Sequence, residues 1–381
     1  MKFVLAVKLG AEAFALSCRQ FGISRKTGYK WWERYRREGA KGLAEVSREP
    51  RHRPRERAPW WREALRGARR AHPRWGAKKL RWVLGKEHPK ARPVPAVSTL
   101  GRWLRELGLA GVRPQRARRG PVLPATKLTV PQVPNDVWTV DFKGWFRTGE
   151  GTRCEPLTVR DLHSRFVLAV QLLANESDVL ARRAMRLVFV RYGLPKIIRV
   201  DNGAPFGGKG ALGLSRLSVW WLRLGIAVEF TRPACPQDNG AHEQMHRIFK
   251  ADTAAPPAAG LGAQKRRTRA WVKSYNEQRP HEALGQEVPA RFYQRSRRKL
   301  PMRLCAANYP GRWKRRRVRN RGHIKWEGRL RFVGRAFVGE WVGLEASENG
   351  GHDVYLGPQL IGVMHRQDAA GMRPASWPRR H

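Results

Sequence analysis

Residues 233–250, PACPQDNGAHEQMHRIFK, join a polar turn to a segment with helical periodicity. Either Asn239 or Asp238 is a natural N-cap residue, so the pattern predicts a helix that begins near residue 239. The spacing gives this helix an apolar face and a polar face turned away from the core. The polar face comprises Glu243, His246, Arg247 and Lys250, and the apolar face comprises Met245, Ile248 and Phe249. Charged surface helices are common, so the role of Glu243 depends on the other carboxylates.

The charge balance indicates the class of partner. The 381 residues include 77 Lys and Arg against 30 Asp and Glu, a formal net charge of +47. A general preference for Arg over Lys would explain why most basic residues are arginines, but not why acidic residues are so few. A polyanionic partner explains the excess of positive charge. We therefore expect DNA as the partner. No stretch resembles a membrane span, so a cytoplasmic, nucleoid-associated location without membrane contact is expected.

Residues 1–43 have the spacing of a helix-turn-helix unit. An apolar-periodic helix meets Gly22, and a second helix capped by Ser24 follows after a short turn. Four side chains of the second helix are predicted to project outward, as in a helix lying in a DNA major groove: Arg25, Lys26, Tyr29 and Lys30. The alternative is a protein-binding helical hairpin. A supporting helix before this pair is expected to be short or missing.

A second small helical unit is predicted over residues 59–112, between two linkers. Three helical patterns occur there, the last capped by Ser98, and they fit a second helix-turn-helix or a winged helix. Residues 44–58 combine charge with proline, as extended linkers do. Residues 113–132 form a basic linker suited to DNA phosphates.

Residues 133–255 change from helical to strand periodicity, and this pattern predicts an α/β core. Residues 137–146 alternate apolar and polar side chains, with Asp141 in mid-strand, and residues 157–173 supply two more strands. After a helix, the strand at 196–200 ends at Asp201. Another helix, a strand at 227–230 and the helix of Glu243 complete the core.

Three carboxylates therefore occupy distinctive positions: Asp141, Asp201 and Glu243. If the first and fourth strands are neighbours, both aspartates converge at one region of the sheet, and the helix brings Glu243 to them. Clustered carboxylates repel one another, so such a cluster mainly suits a bound cation, and oxygen ligands favour Mg²⁺ or Mn²⁺. Two such ions, roughly 4 Å apart, can activate an attacking oxygen and stabilise the leaving oxygen at a phosphodiester.

Other polar residues compete for a place in this site. Asp161 could be a fourth acid, but the adjacent turn favours a turn-capping role, and Glu229 is interpreted as a surface charge. His242 and His246 flank Glu243 and are interpreted as hydrogen-bonding or phosphate-facing residues rather than metal ligands. The residues predicted to contact the DNA backbone near the site are Asn239, His246, Arg247 and Lys250.

The C-terminal part is predicted to contain three segments. Residues 256–300 read as a helical extension, and residues 301–366 contain short alternating strands separated by Gly or Asn-Gly turns. This pattern predicts a small β-barrel with basic, DNA-binding strands, or alternatively a stability or subunit-contact module. Residues 367–381 are expected to be a disordered tail. The predicted fold class is therefore multidomain, with all-α helix-turn-helix units at the N-terminus, an α/β core and this barrel.

Three acidic motifs, VWTVDFKGWF, RVDNGAPF and PQDNGAHEQMHR, resemble those of the DDE transposases of bacterial insertion sequences. The front helix-turn-helix, YNEQRPHEALG at 275–285 and IKWEGRLRFV near the C-terminus resemble the same group. The resemblance implies a ribonuclease H-like core similar to that of retroviral integrases. It also implies that Asp141, Asp201 and Glu243 are the catalytic, metal-binding triad. In one departure from retroviral integrases, the interval between Asp201 and Glu243 is longer. The Gly-rich segment 207–216 can absorb this length as a loop near the DNA.

The resulting hypothesis is a transposase that binds the terminal inverted repeats of its element as a homo-oligomer, nicks the ends with two Mg²⁺ or Mn²⁺ ions, and joins them to target DNA. A catalytically inactive, transposase-derived DNA-binding regulator is the alternative, although none of the three acids is lost. A ribonuclease H-like nuclease acting on RNA shares the core chemistry but does not explain two DNA-reading modules.

Overall fold

The structure is a computed structural model, and it describes residues 2–10, 13–45, 59–91, 93–110, 128–232, 235–347, 350–369 and 371–375. These residues belong to two compact units, 1–63 and 64–381. Most of the predicted linkers at 44–58 and 113–132 lies outside the described residues. No helix in the described ranges is long and apolar enough to cross a bilayer.

The first unit contains three helices: α1 (Lys2–Lys8), α2 (Phe14–Gln20) and α3 (Arg25–Glu38). Ser24 caps α3, as predicted, because its hydroxyl accepts a hydrogen bond from the Thr27 amide at 3.2 Å. Gly28 lets α2 approach α3 closely, since a Cβ there would lie 2.5 Å from the Cys18 sulfur. The supporting helix α1 is short rather than missing, and it buries Phe3 and Val4 in the core of the unit.

The second unit begins with the three predicted helices: α4 (Trp60–Ala71, which starts in the first unit), α5 (Ala77–Glu87) and α6 (Val97–Glu106). The Ser98 cap was wrong, because α6 begins at Val97 and its N-cap residue is Ala96. Leu80 and Leu84, one turn apart on α5, and Leu100 on α6 are fully buried and hold these helices together. No strand occurs in the described residues 59–91 and 93–110, so a winged helix is not supported there.

The core of this unit is a mixed six-stranded sheet. Its strands are β1 (Val137–Phe142), β2 (Phe146–Arg147), β3 (Arg153–Asp161), β4 (Val167–Leu173), β5 (Ile197–Val200) and β6 (Ala227–Phe230). The order is β2-β3-β1-β5-β6, and β4 also pairs with β3. β1 runs antiparallel to β3 and parallel to β5, with Val137 opposite Ile197. The first and fourth predicted strands are therefore neighbours.

Helices cover both faces of this sheet. The helices α7 (Asp178–Tyr192) and α8 (Arg216–Arg223) pack against Trp138 and Val140 of β1 in the largest apolar core. The helices α9 (Gly240–Phe249) and α10 (Leu261–Glu277) contribute Met245, Phe249 and Trp271 to a core on the other face. Because side chains alternate along a strand, Thr139 and Asp141 of β1 point toward α9. The helical extension predicted after the core corresponds to α10.

Two carboxylates have structural partners. Asp161 has the predicted turn-capping role, since it accepts hydrogen bonds from the Ser164 amide at 2.7 Å, the Ser164 hydroxyl at 2.5 Å and the Asn135 amide at 2.7 Å. The interpretation of Glu229 as a surface charge was wrong. Its carboxylate pairs with Arg199 at 2.9 Å and accepts from the Thr129 amide at 3.0 Å.

The C-terminal strands form two sheets. They are β7 (Lys314–Arg317), β8 (His323–Trp326), β9 (Arg329–Phe332), β10 (Trp341–Ala346), β11 (His352–Leu356), β12 (Gln359–Met364) and β13 (Arg373–Pro374). β8 and β9 form a hairpin, and the others form a five-stranded sheet in the order β13-β12-β11-β10-β7. Among the described residues this sheet does not close on itself, so the barrel stays a prediction. The prediction of a disordered tail from residue 367 was wrong for the described residues up to 375, because β13 pairs with β12.

The Gly-rich segment 207–216, predicted to be a loop near the DNA, packs its apolar residues against the C-terminal strands, and its proximity to DNA stays a prediction. Ala211, Leu212 and Leu214 are at most 4% exposed and belong to the apolar core of the C-terminal sheets. The Leu212 amide also donates to the Ala375 carbonyl at 3.2 Å. Arg223 of α8 pairs with Glu340 at 2.8 Å beside this contact. The segment therefore attaches the C-terminal sheets to the catalytic core.

Candidate active site

Asp141, near the end of β1, has weak electrostatic compensation, since the charge of Lys143 lowers its pKa less than burial and the neighbouring acids raise it. Among the described residues, no lysine or arginine forms an ion pair with its carboxylate, and the nearest His atom is Nδ1 of His246, 3.8 Å from Oδ2. Burial, followed by the negative charges of Asp201 and Glu243, raises the pKa of Asp141 to about 7, although a hydrogen bond from the Phe142 amide opposes the shift. The three predicted acids therefore lie close enough to interact electrostatically.

Asp201 and Glu243 approach Asp141 from two different elements. Asp201 directly follows β5, the parallel neighbour of β1, and both strands end on the same side of the sheet. The Gly203 amide donates to Oδ1 of Asp201 at 3.3 Å. Glu243 lies in the first turn of α9. Both side chains are exposed, so the site has one partly buried and two solvent-facing carboxylates.

A buried network of hydroxyls and imidazoles lies beneath Asp141. The Thr158 hydroxyl donates to the Asp141 carbonyl oxygen at 2.9 Å and contacts Nε2 of His242 at 2.6 Å and Nε2 of His246 at 2.7 Å. Nδ1 of His242 lies 2.6 Å from the Thr139 hydroxyl. These contacts join α9 to β1 and β3, and they fix the position of the helix that carries Glu243.

The proton count of this network assigns the histidine tautomers. The Thr158 hydroxyl has one proton, which goes to the Asp141 carbonyl, so Nε2 of both histidines must donate to the Thr158 oxygen. Burial lowers the pKa of His246 to about 3 and that of His242 well below its ordinary value, so both rings are neutral. Nδ1 of His242 then accepts from Thr139, and Nδ1 of His246 presents a lone pair to Asp141.

The donor set fits a hard divalent cation. Carboxylates are the oxygen ligands that Mg²⁺ and Mn²⁺ prefer. The described residues whose potential ligand atoms lie within 4.8 Å of one another are Asp141, His242 and His246, and this group does not include Asp201 and Glu243. His242 is not available to a cation, because hydroxyls occupy both of its ring nitrogens. The residues that could hold a metal are therefore Asp141, Asp201, Glu243 and His246.

The residues predicted to contact DNA lie in two places. Arg25, Lys26, Tyr29 and Lys30 are all exposed on α3 of the first unit. Near the acids, Arg247 and Lys250 are exposed on α9 and at its end, and Asn239 precedes the helix. Asn239 is the N-cap residue, but its side chain makes no capping hydrogen bond, and its buried Oδ1 has no hydrogen-bond partner among the described residues.

His246 corrects the predicted polar face of α9. It is 5% exposed and faces the sheet, not solvent, because Thr158 and Asp141 give it polar partners there. The sequence reasoning missed Thr139 and Thr158 of this network, whereas His242 is a hydrogen-bonding residue, as predicted. Alternation along β1 places Thr139 and Asp141 on one face, and that signal could have identified Thr139. Thr158 depends on the register between β1 and β3, where it lies opposite Asp141.

The sheet and its carboxylates define an integrase-type catalytic core. Two family models described as "Integrase core domain" match residues 131–236 and residues 224–289. "Helix-turn-helix domain" matches residues 13–55, and "IS481 family transposase, C-terminal domain" matches residues 314–369. These matches assign to the chain a helix-turn-helix domain, an integrase core domain and a C-terminal domain of the IS481 transposase type.

Curated relatives agree with this assignment. The chain is 28% identical over 220 residues to the insertion element IS407 uncharacterized 31.7 kDa protein of Burkholderia multivorans, covering 58% of this chain and 75% of that protein. It is 27% identical over 222 residues to the insertion element IS476 uncharacterized 39.2 kDa protein of Xanthomonas euvesicatoria, covering 58% of this chain and 61% of that protein.

Solved structures resemble the chain only distantly. The HTLV-2 integrase catalytic core domain in complex with magnesium aligns over 43% of this chain and 99% of its own, with 15% identity and a TM-score of 0.32. The simian T-cell lymphotropic virus intasome aligns over 83% of this chain and 100% of its own, with 14% identity and a TM-score of 0.39. Similarity at this level carries no functional argument.

Proposed function

We propose that this transposase binds the terminal inverted repeats of an insertion sequence and catalyses DNA nicking and strand transfer with Asp141, Asp201 and Glu243. The observation that supports the proposal is the raised pKa of Asp141, about 7, which burial causes first and which the negative charges of Asp201 and Glu243 raise further. Such mutual repulsion is unfavourable unless a cation or a proton neutralises it. A catalytic site that binds Mg²⁺ or Mn²⁺, with two ions, accounts for it.

Each residue has a separate role in this proposal. Asp141, Asp201 and Glu243 bind the metal, which when present would activate the attacking oxygen and stabilise the leaving oxygen of the phosphodiester. Two of these acids are exposed, so a DNA strand can reach them. Arg247 and Lys250 hold backbone phosphates one and two turns beyond Glu243. The network of Thr158 and the two histidines keeps Glu243 positioned against Asp141.

The remaining modules would supply DNA recognition. The exposed residues Arg25, Lys26, Tyr29 and Lys30 on α3 are proposed to contact the element end in the major groove. Two ends must be paired before joining, so we propose a homo-oligomer as the active form and target DNA as its second partner. The net charge of +47 supports binding to more than one DNA segment.

The test is strand transfer of a labelled, pre-nicked element end into plasmid DNA with Mg²⁺. The Glu243→Gln variant is expected to lose at least about a hundredfold in joining while it still binds the end. Glu277→Gln, which removes an exposed acid of α10, is the matched control and should join normally. End binding without joining by the wild type, in Mg²⁺ and Mn²⁺ alike, would instead indicate an inactive DNA-binding regulator.

A further inference from the structure

His246 occupies a position from which it can reach the same cation as Asp141. It follows Glu243 by three residues on α9, so the two side chains project from neighbouring positions of the helix surface. Its Nδ1 lies 3.8 Å from Oδ2 of Asp141. Two ligands of one octahedral ion with bonds of about 2.1 Å lie about 3 Å apart when adjacent and about 4 Å apart when opposite. The observed separation falls within this range.

The lone pair of His246 at Nδ1 is available. Nε2 donates to Thr158 at 2.7 Å, which leaves Nδ1 without a proton in the neutral ring. In the described part of the chain no donor forms a hydrogen bond with this atom, and 3.8 Å is too long for one with Asp141. A metal-ligating imidazole usually donates its other N–H to a fixed partner, and Thr158 provides this partner here.

His242 provides an internal contrast. It lies one helical turn before His246, and the centroids of the two rings are 4.6 Å apart. Both of its ring nitrogens contact threonine hydroxyls at 2.6 Å, so it has no free lone pair. Burial alone therefore does not make an imidazole of α9 a ligand. The difference lies in what each Nδ1 faces, a hydroxyl for His242 and a carboxylate for His246.

We propose that His246 is a fourth ligand of the catalytic metal and binds it through Nδ1 beside the Asp141 carboxylate. The nitrogen ligand favours Mn²⁺ over Mg²⁺, because Mg²⁺ prefers oxygen ligands more strongly. This inference rests on the proposed function, in that the three acids bind the ion. It replaces the predicted contact of His246 with the DNA backbone.

Pulsed electron paramagnetic resonance of Mn²⁺ bound to the full-length protein tests the proposal. Directly bound nitrogen modulates the spin echo of Mn²⁺, and ¹⁵N labelling of histidine should change the modulation from the ¹⁴N to the ¹⁵N pattern. This measurement needs no substitution and no catalytic turnover. A histidine ligand predicts the isotope change, and an echo without nitrogen modulation from bound Mn²⁺ would overturn the proposal while leaving the three carboxylates as the metal site.

Two variants assign the signal to one residue. His246→Asn is expected to lose the nitrogen modulation and to weaken Mn²⁺ binding about tenfold, with a smaller effect on Mg²⁺. The control variant is His163→Asn, in the turn between β3 and β4. It should keep both the nitrogen modulation and the affinity for Mn²⁺. Modulation that persists in His246→Asn would refute the assignment. Failure of the wild type to bind Mn²⁺ at all would instead contradict the metal site of the proposed function, and this inference with it.

Discussion

The two ends of β1 carry aspartates with opposite environments. Asp136, just before the strand, pairs with Lys196 at 2.8 Å and accepts from the amides of Gln132 and Val133 at 2.9 and 3.0 Å. Burial raises the pKa of Asp136, but these partners together lower it below the ordinary value. Asp141, five residues later, has like charges nearby, and its pKa is raised to about 7.

The difference separates acids that have structural partners from the acid that we propose binds a metal. Asp136 and Asp161 lie at one end of the sheet, and hydrogen bonds or an ion pair within the chain engage both of them. Asp141 lies at the other end with two further acids, and no lysine or arginine of the described residues forms an ion pair with it. A carboxylate that folding leaves uncompensated is available for a ligand from outside.

The largest expected effect on stability is at the structural end of the sheet. Asp161→Ala removes the acceptor for two buried amides and a hydroxyl, and we expect it to reduce the free energy of unfolding by about 3–5 kcal/mol. Urea denaturation followed by circular dichroism measures this loss. Asp161→Asn keeps one acceptor oxygen and should lose less. A loss below about 1 kcal/mol for Asp161→Ala would remove the contrast between the two ends.

Asp141→Asn should change stability in the opposite direction. The folded pKa of about 7 lies above the ordinary value of 3.8, so wild-type stability should fall as pH rises from about 4 to 7, because only the folded state keeps the proton. At pH 8, without metal, the variant should be more stable by about 2 kcal/mol, discounted for partial solvent access. Mg²⁺ should raise the melting temperature of the wild type but not of the variant.

Asp136→Asn is the control for that experiment. Its folded pKa lies below 3.8, so its stabilising contribution is present above the ordinary value and is lost as pH falls through the folded pKa. The Asn variant should therefore be less stable than the wild type at pH 8. If both substitutions changed the free energy of unfolding in the same direction at pH 8, the contrast between the two aspartates would be contradicted.

A smaller effect is expected at the network that joins α9 to the sheet. Thr158→Val removes the hydroxyl that contacts both histidines, and we expect a loss of about 1–2 kcal/mol in the free energy of unfolding. Thr158→Ser keeps the hydroxyl and should restore most of it. Thermal denaturation of both variants measures the difference, and indistinguishable melting temperatures would show that the network does not hold α9.

The sequence was most informative where a periodic pattern fixes geometry locally. Alternation along β1 identified Asp141 on a polar face, and the apolar strand before Asp201 located the second acid. The burial of His246 could not be predicted in this way. It depends on Thr158, which only the antiparallel register with β1 brings opposite Asp141. Likewise, the pairing of Glu229 with Arg199 crosses from β6 to β5 and depends on their parallel register.

The Gly-rich segment shows a second limit of local patterns. Its glycines indicated a loop, and they do allow close approaches, since a Cβ at Gly208 would lie 2.5 Å from the Leu214 carbonyl oxygen. The sequence could not show that Leu212 and Leu214 would find a partner more than a hundred residues away. Their burial depends on the C-terminal sheets, which the chain supplies only after α10.

This attachment determines where the chain can be shortened. A truncation between the matched integrase core and the matched C-terminal domain would expose Leu212, Leu214 and Val219, which pack against the C-terminal sheets. The exposed leucines would form an apolar patch that favours aggregation. They follow Asp201 by little more than ten residues, so disorder there would extend toward this proposed metal ligand. A minimal catalytic fragment therefore needs either the C-terminal sheets or polar replacements at these leucines.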